Sequence, residues 1–331
     1  NTNSGKEAVR MAQQFDYPET ETQLREILDK LYQHSKEVHD SGGRPAFKGL
    51  IEIMSAEATI ITAIHNIKSN HGSETPGVDS KTMQKDYLQK PISCVIKDIQ
   101  SAFKHFEAQK IRRKYIDKPG KSEKRPLGIP TIRDRIVQEC MRIVLEPILE
   151  AQFFYHSYGF RPMRDTAMAL QRINYLTFQT GYHWIVEGDI SKCFDCIDHS
   201  ILLKRLYHMG IKYRRVLQII KVKQKIPSVK YRDIYVGFTA LTFCNWEKTF
   251  PKNKNETPYS ETGRQIYFKR TKKKRINARL DEMYSVHTAR IVTNGSWGKL
   301  NNFEFIMNRA YALNRDKLKC RVCGGWLISG T

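Results

Sequence analysis

Asp189 is the residue best placed to do chemistry. It follows Trp184, Ile185 and Val186, an apolar run that predicts a short strand buried on both faces. That strand ends at Glu187-Gly188-Asp189, so a carboxylate leaves a buried β-element at a point a metal ion could reach. Phe194 comes five residues later, then Asp195 and Asp198, and then Leu202, Leu203, Leu206 and Met209 at helical spacing. The competing reading is a strand-to-helix turn whose acids only cap the next helix.

The second chemical theme is cationic. Lys110, Arg112, Arg113 and Lys114 lead into a segment from Lys114 to Pro130 that predicts two short strands around Pro119-Gly120. Several donors on a ribbon, Lys118 and Arg125 among them, suit a triphosphate or a nucleic-acid backbone. A solvated basic hairpin is the bland alternative. Arg161 and Arg164 sit in or beside the compact loop His156 to Pro162, from which they could reach a phosphate backbone while Tyr158 and Phe160 stack or pack. Lys269, Arg270, Lys272, Lys273, Lys274 and Arg275 place six cations in seven residues, a pattern giving salt-sensitive, sequence-independent affinity for nucleic acid. Cys320-x-x-Cys323, followed by two glycines, has the spacing of a zinc knuckle. Tetrahedral zinc takes four ligands, so this is half a site; neither Cys nor His occurs among the eight residues after it. Cys193-x-x-Cys196 falls inside the Asp189 stretch and reads as incidental.

The composition points the same way. The 331 residues hold 56 basic and 34 acidic side chains, a net charge of +22, far more than solubility needs and suited to a polyanionic partner. An anionic membrane surface is the competitor, but the most apolar stretch, Leu50 to Ile67, is interrupted by Glu52, Glu57 and His65 and reads as a buried globular helix. No signal peptide is recognisable. Seven scattered cysteines argue against a disulfide framework and for an intracellular, cytoplasmic setting.

The positioning elements are mostly helical. Leu24, Ile27, Leu28, Leu31 and Val38 mark a helix over 20–39, ended by Gly42, Gly43 and Pro45. A second helix is expected over 50–68, and a third carries Ile96, Ile99 and Phe103. A fourth opens near Asp134, expected as its cap, and ends or kinks at Pro147. A fifth shows Ala167, Leu170, Ile173 and Leu176 on one face. Basic excess rises from +10 in residues 1–226 to +12 in the shorter 227–331, which sets a boundary near Ile226-Pro227.

Four blocks then align with a known family. Lys124 to Glu139, Leu145-Glu146-Pro147-Ile148, Tyr158-Gly159-Phe160-Arg161-Pro162, and Glu187-Gly188-Asp189-Ile190 with Phe194-Asp195 together resemble the group II intron-encoded reverse transcriptase/maturase family, in order and spacing, over about residues 50–226. The resemblance implies an α+β fold: a helical N-terminal region and start of the fingers over 1–110, the fingers and partial palm of a right-hand polymerase over 111–226, and a basic, poorly packed DNA-binding-like region over 227–331 ending in the start of an HNH-type zinc module. It implies Lys118 and Arg125 as triphosphate ligands, Asp189 and the Ile190 carbonyl as Mg²⁺ ligands, and Phe194 as the steric gate against ribonucleotides. Arg112, Arg113, Arg161, Arg164 and the 269–275 run are the expected nucleic-acid contacts. Intron RNA, a DNA target and dNTPs are the implied partners; Zn²⁺ is implied only for the incomplete Cys320/Cys323 pair.

One expected motif is absent. The family's Tyr-x-Asp-Asp hairpin does not occur in residues 200–331, where the only adjacent acids are Asp281-Glu282 in a basic context. Two-metal phosphoryl transfer needs several converging carboxylates. The chain therefore reads as internally deleted near 226–235, shortened at its end, and inactive in polymerisation by itself. The alternatives are a non-enzymatic RNA- or DNA-binding remnant and, further off, an HNH nuclease fragment.

Overall fold

The computed structural model describes residues 13–14, 17–70, 72–117, 124–181, 198–223, 253, 255–272 and 303–304. Its first helix, α1 (Glu21–Asp40), begins with a reciprocal cap. Gln23 N donates to Thr20 Oγ1 at 3.2 Å, and Thr20 N donates to Gln23 Oε1 at 3.1 Å, so two of the helix's orphan donors are satisfied at once. Leu24, Ile27 and Leu31 are buried at the spacing the sequence shows. The two-residue strands β1 (Gln13–Gln14) and β2 (Phe47–Lys48) pair in parallel.

The helix expected over 50–68 is two helices, α2 (Leu50–Met54) and α3 (Glu57–Lys68). The break falls at Ser55-Ala56, where Ala56 is extended. The Ser55 carbonyl, freed from the helical ladder, accepts instead from Gln100 Nε2 at 3.1 Å and Tyr17 OH at 3.4 Å. Tertiary partners therefore make up for a break that periodicity alone did not reveal. Helix α3 buries Ala58, Ile60, Ile61, Ala63, Ile64 and Ile67, nearly its whole circumference, as befits a central helix. A five-residue π-helical turn, Gln84–Leu88, leads to α4 (Ile92–Lys104), which buries Ile96, Ile99 and Phe103 as expected.

Strands β3 (Arg112–Asp117) and β4 (Lys124–Ile129) form the anticipated antiparallel hairpin, with Arg112 opposite Ile129 and Asp117 opposite Lys124. The chain then enters α5 (Ile132–Glu150), against which α1, α2, α3 and α4 all pack. Two expectations for this helix need correction. Its cap is Thr131, whose Oγ1 accepts from Asp134 N at 3.3 Å; Asp134 is buried in the first turn and accepts from Gln109 N at 3.0 Å. Of the two outcomes expected at Pro147, an end or a kink, the end is excluded, since the helix continues to Glu150. The approach to α5 is tight: a Cβ on Gly77 would lie 2.7 Å from Thr131 Cα. Arg135 stitches the same loop to α5 by donating to the carbonyls of Gly72 and Thr75.

Beyond the core come α6 (Thr166–Phe178), α7 (His199–His208) and α8 (Arg214–Lys223). Ile211, Val216 and Ile219 join the main core. Helix α6 forms where expected, yet Leu170 and Ile173 are exposed and Met168 is its one buried residue. The last helix, α9 (Glu261–Thr271), is capped by Ser260, whose Oγ accepts from Gly263 N at 3.1 Å. Residues 255–272 depart from the expected poor packing of the C-terminal region: Glu256, Thr257 and Tyr259 are buried, and Gly263 lies so close to the backbone of Thr257 that a Cβ there would come within 2.5 Å of its carbonyl oxygen.

Candidate nucleic-acid interface

The β3–β4 hairpin is a cationic ribbon rooted in the core. All six residues of β3 are exposed, including Arg112, Arg113 and Lys114. At its base Ile129, Pro130 and Thr131 are buried and run directly into α5. The rooted end fixes the ribbon's direction while its faces stay open to solvent. Tyr115 and Ile116 are exposed beside the cations, so base stacking and phosphate contact are both available on one element. Pro126 lacks a ladder N–H and is tolerated because both strands of a two-stranded ribbon are edges. Arg112 also acts on its surroundings. Burial, then the nearby Arg112 charge, pulls the Arg135 guanidinium below its ordinary pKa.

The second predicted group of cations is built differently. Arg161 is buried, and its Nε and one terminal nitrogen each donate at 2.8 Å to the carboxylate of Glu150, at the end of α5. Its other terminal nitrogen donates to the carbonyls of Phe154 at 2.7 Å and Ser157 at 2.9 Å. Arg164 donates to the carbonyls of Tyr155 and Ser157 and lies 3.8 Å from Glu150. Its guanidinium also faces the rings of Tyr155 and Tyr158 at 5.6 and 5.8 Å. Burial and the neighbouring Arg161 lower its pKa. The two arginines thus tie the loop 151–165 to α5, with Phe154 and Phe160 exposed around them. His156, in edge contact with Phe154 and Tyr155, has its pKa lowered by burial and then by Arg172 and Arg164, which favours the neutral ring.

The third group is split. Lys269 and Lys272 are exposed, whereas Arg270 pairs with the buried Glu256 at 2.7 Å. Lys273, Lys274 and Arg275 lie outside the described residues, as do Asp189, Ile190, Phe194, Lys118, Cys320 and Cys323. Arg125 is placed in β4 opposite Ile116, but its side chain is likewise outside. Among the described residues no three His, Cys, Asp or Glu side chains converge on a possible metal. No helix among them is long and apolar enough to cross a membrane.

The residues missed by sequence reasoning are the acids. Glu150, Glu256 and Asp29 each hold an arginine in a bidentate or near-bidentate grip. Each lies between 11 and 235 positions from its partner, and no local spacing announces such a pair.

Comparison with known proteins now defines the class. Residues 116–240 match the family described as reverse transcriptase (RNA-dependent DNA polymerase), a stretch that opens within the cationic hairpin. The chain is 35% identical over 214 residues to the group II intron-encoded protein LtrA of Lactococcus lactis subsp. cremoris, covering 64% of this chain and 34% of that protein. It is 39% identical over 154 residues to protein YkfC of Escherichia coli, covering 45% and 38% respectively. It is 36% identical over 106 residues to nuclear intron maturase 1, mitochondrial, of Arabidopsis thaliana, covering 31% of this chain and 14% of that one. Over residues 116–240 the chain is thus similar to reverse transcriptases, and its relatives include group II intron-encoded proteins and an intron maturase. It spans about a third of the length of the first of these relatives.

Proposed function

We propose that this chain binds group II intron RNA through the β3–β4 ribbon and assists the intron's splicing or mobility as an RNA-binding protein. The observation that carries this reading is the exposed Arg112, Arg113 and Lys114 on a rooted hairpin, just ahead of residue 116 where the reverse transcriptase match begins. Such a ribbon offers charge-assisted donors with aromatic support, suited to RNA backbone and unstacked bases. Lys118 and Arg125 extend it as ligands for a nucleotide triphosphate, and Asp189 with the Ile190 carbonyl would hold Mg²⁺, which supplies charge neutralisation for phosphoryl transfer when bound. Phe194 then serves as the gate below the sugar. A DNA target is the further partner implied by the basic 269–275 run.

Polymerisation by these 331 residues alone is not part of the proposal, because the sequence holds no Tyr-x-Asp-Asp block to complete the carboxylate set. Primer extension on an RNA template with Mg²⁺ and dNTPs tests this directly. We expect no extension; robust synthesis abolished by Asp189→Ala overturns the claim. Binding of intron RNA is expected to weaken steeply with salt, and salt-insensitive binding overturns the ribbon reading.

A further inference from the structure

We propose that two C-terminal segments, residues 256–272 and Phe303-Glu304, form a clasp that fixes the exposed lysines Lys269 and Lys272 to the same helical body as the β3–β4 hairpin, so that RNA engages both cationic elements at once. The RNA half of this proposal rests on the function proposed above; the clasp itself does not.

The first point of attachment is on α1 and α5. Arg264 donates to both carboxylate oxygens of Asp29 at 2.9 Å, and the same guanidinium nitrogen donates to the Pro258 carbonyl at 2.8 Å. Tyr259 stacks on Tyr32 with ring centroids 5.5 Å apart, and burial and then the nearby Glu146 carboxylate raise its pKa. Glu146 in turn accepts from Arg142 at 2.6 Å, which also grips Glu139. A buried tyrosine beside an ionic network is selective, because its polar end costs free energy where the network is lost. The second point uses other residues of the body and closes the same clasp. Phe303 is fully buried in the main core, its N–H donates to the Lys90 carbonyl at 3.1 Å, and Glu304 pairs with Lys68 at 3.3 Å while accepting from Gln84 Nε2 at 2.6 Å.

Within the first segment the cations divide by role. Arg264 is committed to the dock and Arg270 to Glu256, while Lys269 and Lys272 remain exposed. The segment therefore has one set of charges that attaches it and another that stays available. Holding a second cationic element on the body raises its effective concentration at RNA already bound to the hairpin, which increases affinity without any new contact to the hairpin itself.

Full-length wild type, Arg264→Asp, Asp29→Arg, the charge-swapped double variant and Phe303→Ala are compared by two readouts. The first is hydrogen exchange of the α9 amides, with α5 amides reporting whether the body stays folded. The second is binding to a single-stranded oligo-uridylate RNA. Arg264→Asp is expected to speed α9 exchange about tenfold or more with α5 unchanged, and the double swap to restore it. RNA affinity is expected to fall about tenfold in Arg264→Asp and to recover in the double swap. Phe303→Ala gives a similar loss without touching any charge. Unchanged α9 exchange in both Arg264→Asp and Phe303→Ala overturns the clasp. Faster exchange with unchanged RNA affinity overturns its role in binding. Wild type that binds no RNA sinks the proposed function, while the exchange data still decide the clasp.

Discussion

Arg112 and Arg161 are the same residue type, 49 positions apart and both expected at nucleic acid, yet the fold treats them oppositely. Arg112 lies on a ribbon with every residue of its strand exposed, whereas Arg161 is buried against Glu150 with its donors directed at a carboxylate and two carbonyls. The difference is one of environment. A guanidinium in water keeps its charge available to a phosphate, while a buried one must be satisfied in place or destabilise the fold. Net charge therefore overstates the charge left at the surface: of the described cations expected at nucleic acid, Arg161, Arg164 and Arg270 have acidic partners, whereas Arg112, Arg113, Lys269 and Lys272 are exposed.

That contrast is open to direct attack. The largest effect is expected from Arg161→Ala, which leaves the buried Glu150 with only the 3.8 Å contact to Arg164 and should cost about 3 kcal/mol in urea unfolding. RNA binding of the folded fraction should keep its salt slope. A stable Arg161→Ala protein with a reduced slope would place Arg161 on the RNA and erase the distinction. Next comes neutralisation of the ribbon: replacing Arg112, Arg113 and Lys114 by Ala should leave stability nearly unchanged and lower the salt slope for single-stranded RNA by roughly two, at about 0.7 per phosphate contact. An unchanged slope would remove the hairpin from the interface.

Smaller effects sharpen the comparison by separating local structure from binding. Thr20→Ala removes one half of the reciprocal cap of α1 and is expected to cost about 1 kcal/mol without altering RNA affinity. The smallest effect concerns acid. Asp198 caps α7 through hydrogen bonds from Ile201 N and Ser200 N, and these hold its carboxyl below the usual aspartate pKa. A depressed carboxylate pKa stabilises above the unfolded value and loses that contribution as pH falls through the folded value. An acid titration of helicity should accordingly show a shallow loss that Asp198→Asn removes; an identical titration in Asp198→Asn would show that the cap does not report on α7.

Much of the scaffold is legible in the residues. Leu24, Ile27 and Leu31 marked α1, and Pro119-Gly120 between two short runs marked the hairpin, because both signals are local: a periodicity and a turn composition. The family resemblance drawn from four ordered blocks agrees with the reverse transcriptase match and with the intron-encoded relatives. Less was legible at the level of side-chain assignment. The break at Ser55-Ala56 depends on Gln100 and Tyr17 accommodating a freed carbonyl, and the cap of α5 fell to Thr131 because Asp134 is drawn inward to Gln109 N.

Sequence by itself determined the family the chain resembles, the first helix, the hairpin and the excess of positive charge. These rest on patterns that survive without knowledge of distant neighbours. Only the tertiary structure decided which cations are free to meet a phosphate. That choice depends on whether an acid far along the chain, Glu150 for Arg161, Glu256 for Arg270 or Asp29 for Arg264, arrives within hydrogen-bonding distance. Burial of Glu150 and Glu256 then makes their pairs obligatory, because an isolated charge taken out of water costs more free energy than a surface contact returns, while Asp29 and Arg264 stay partly exposed.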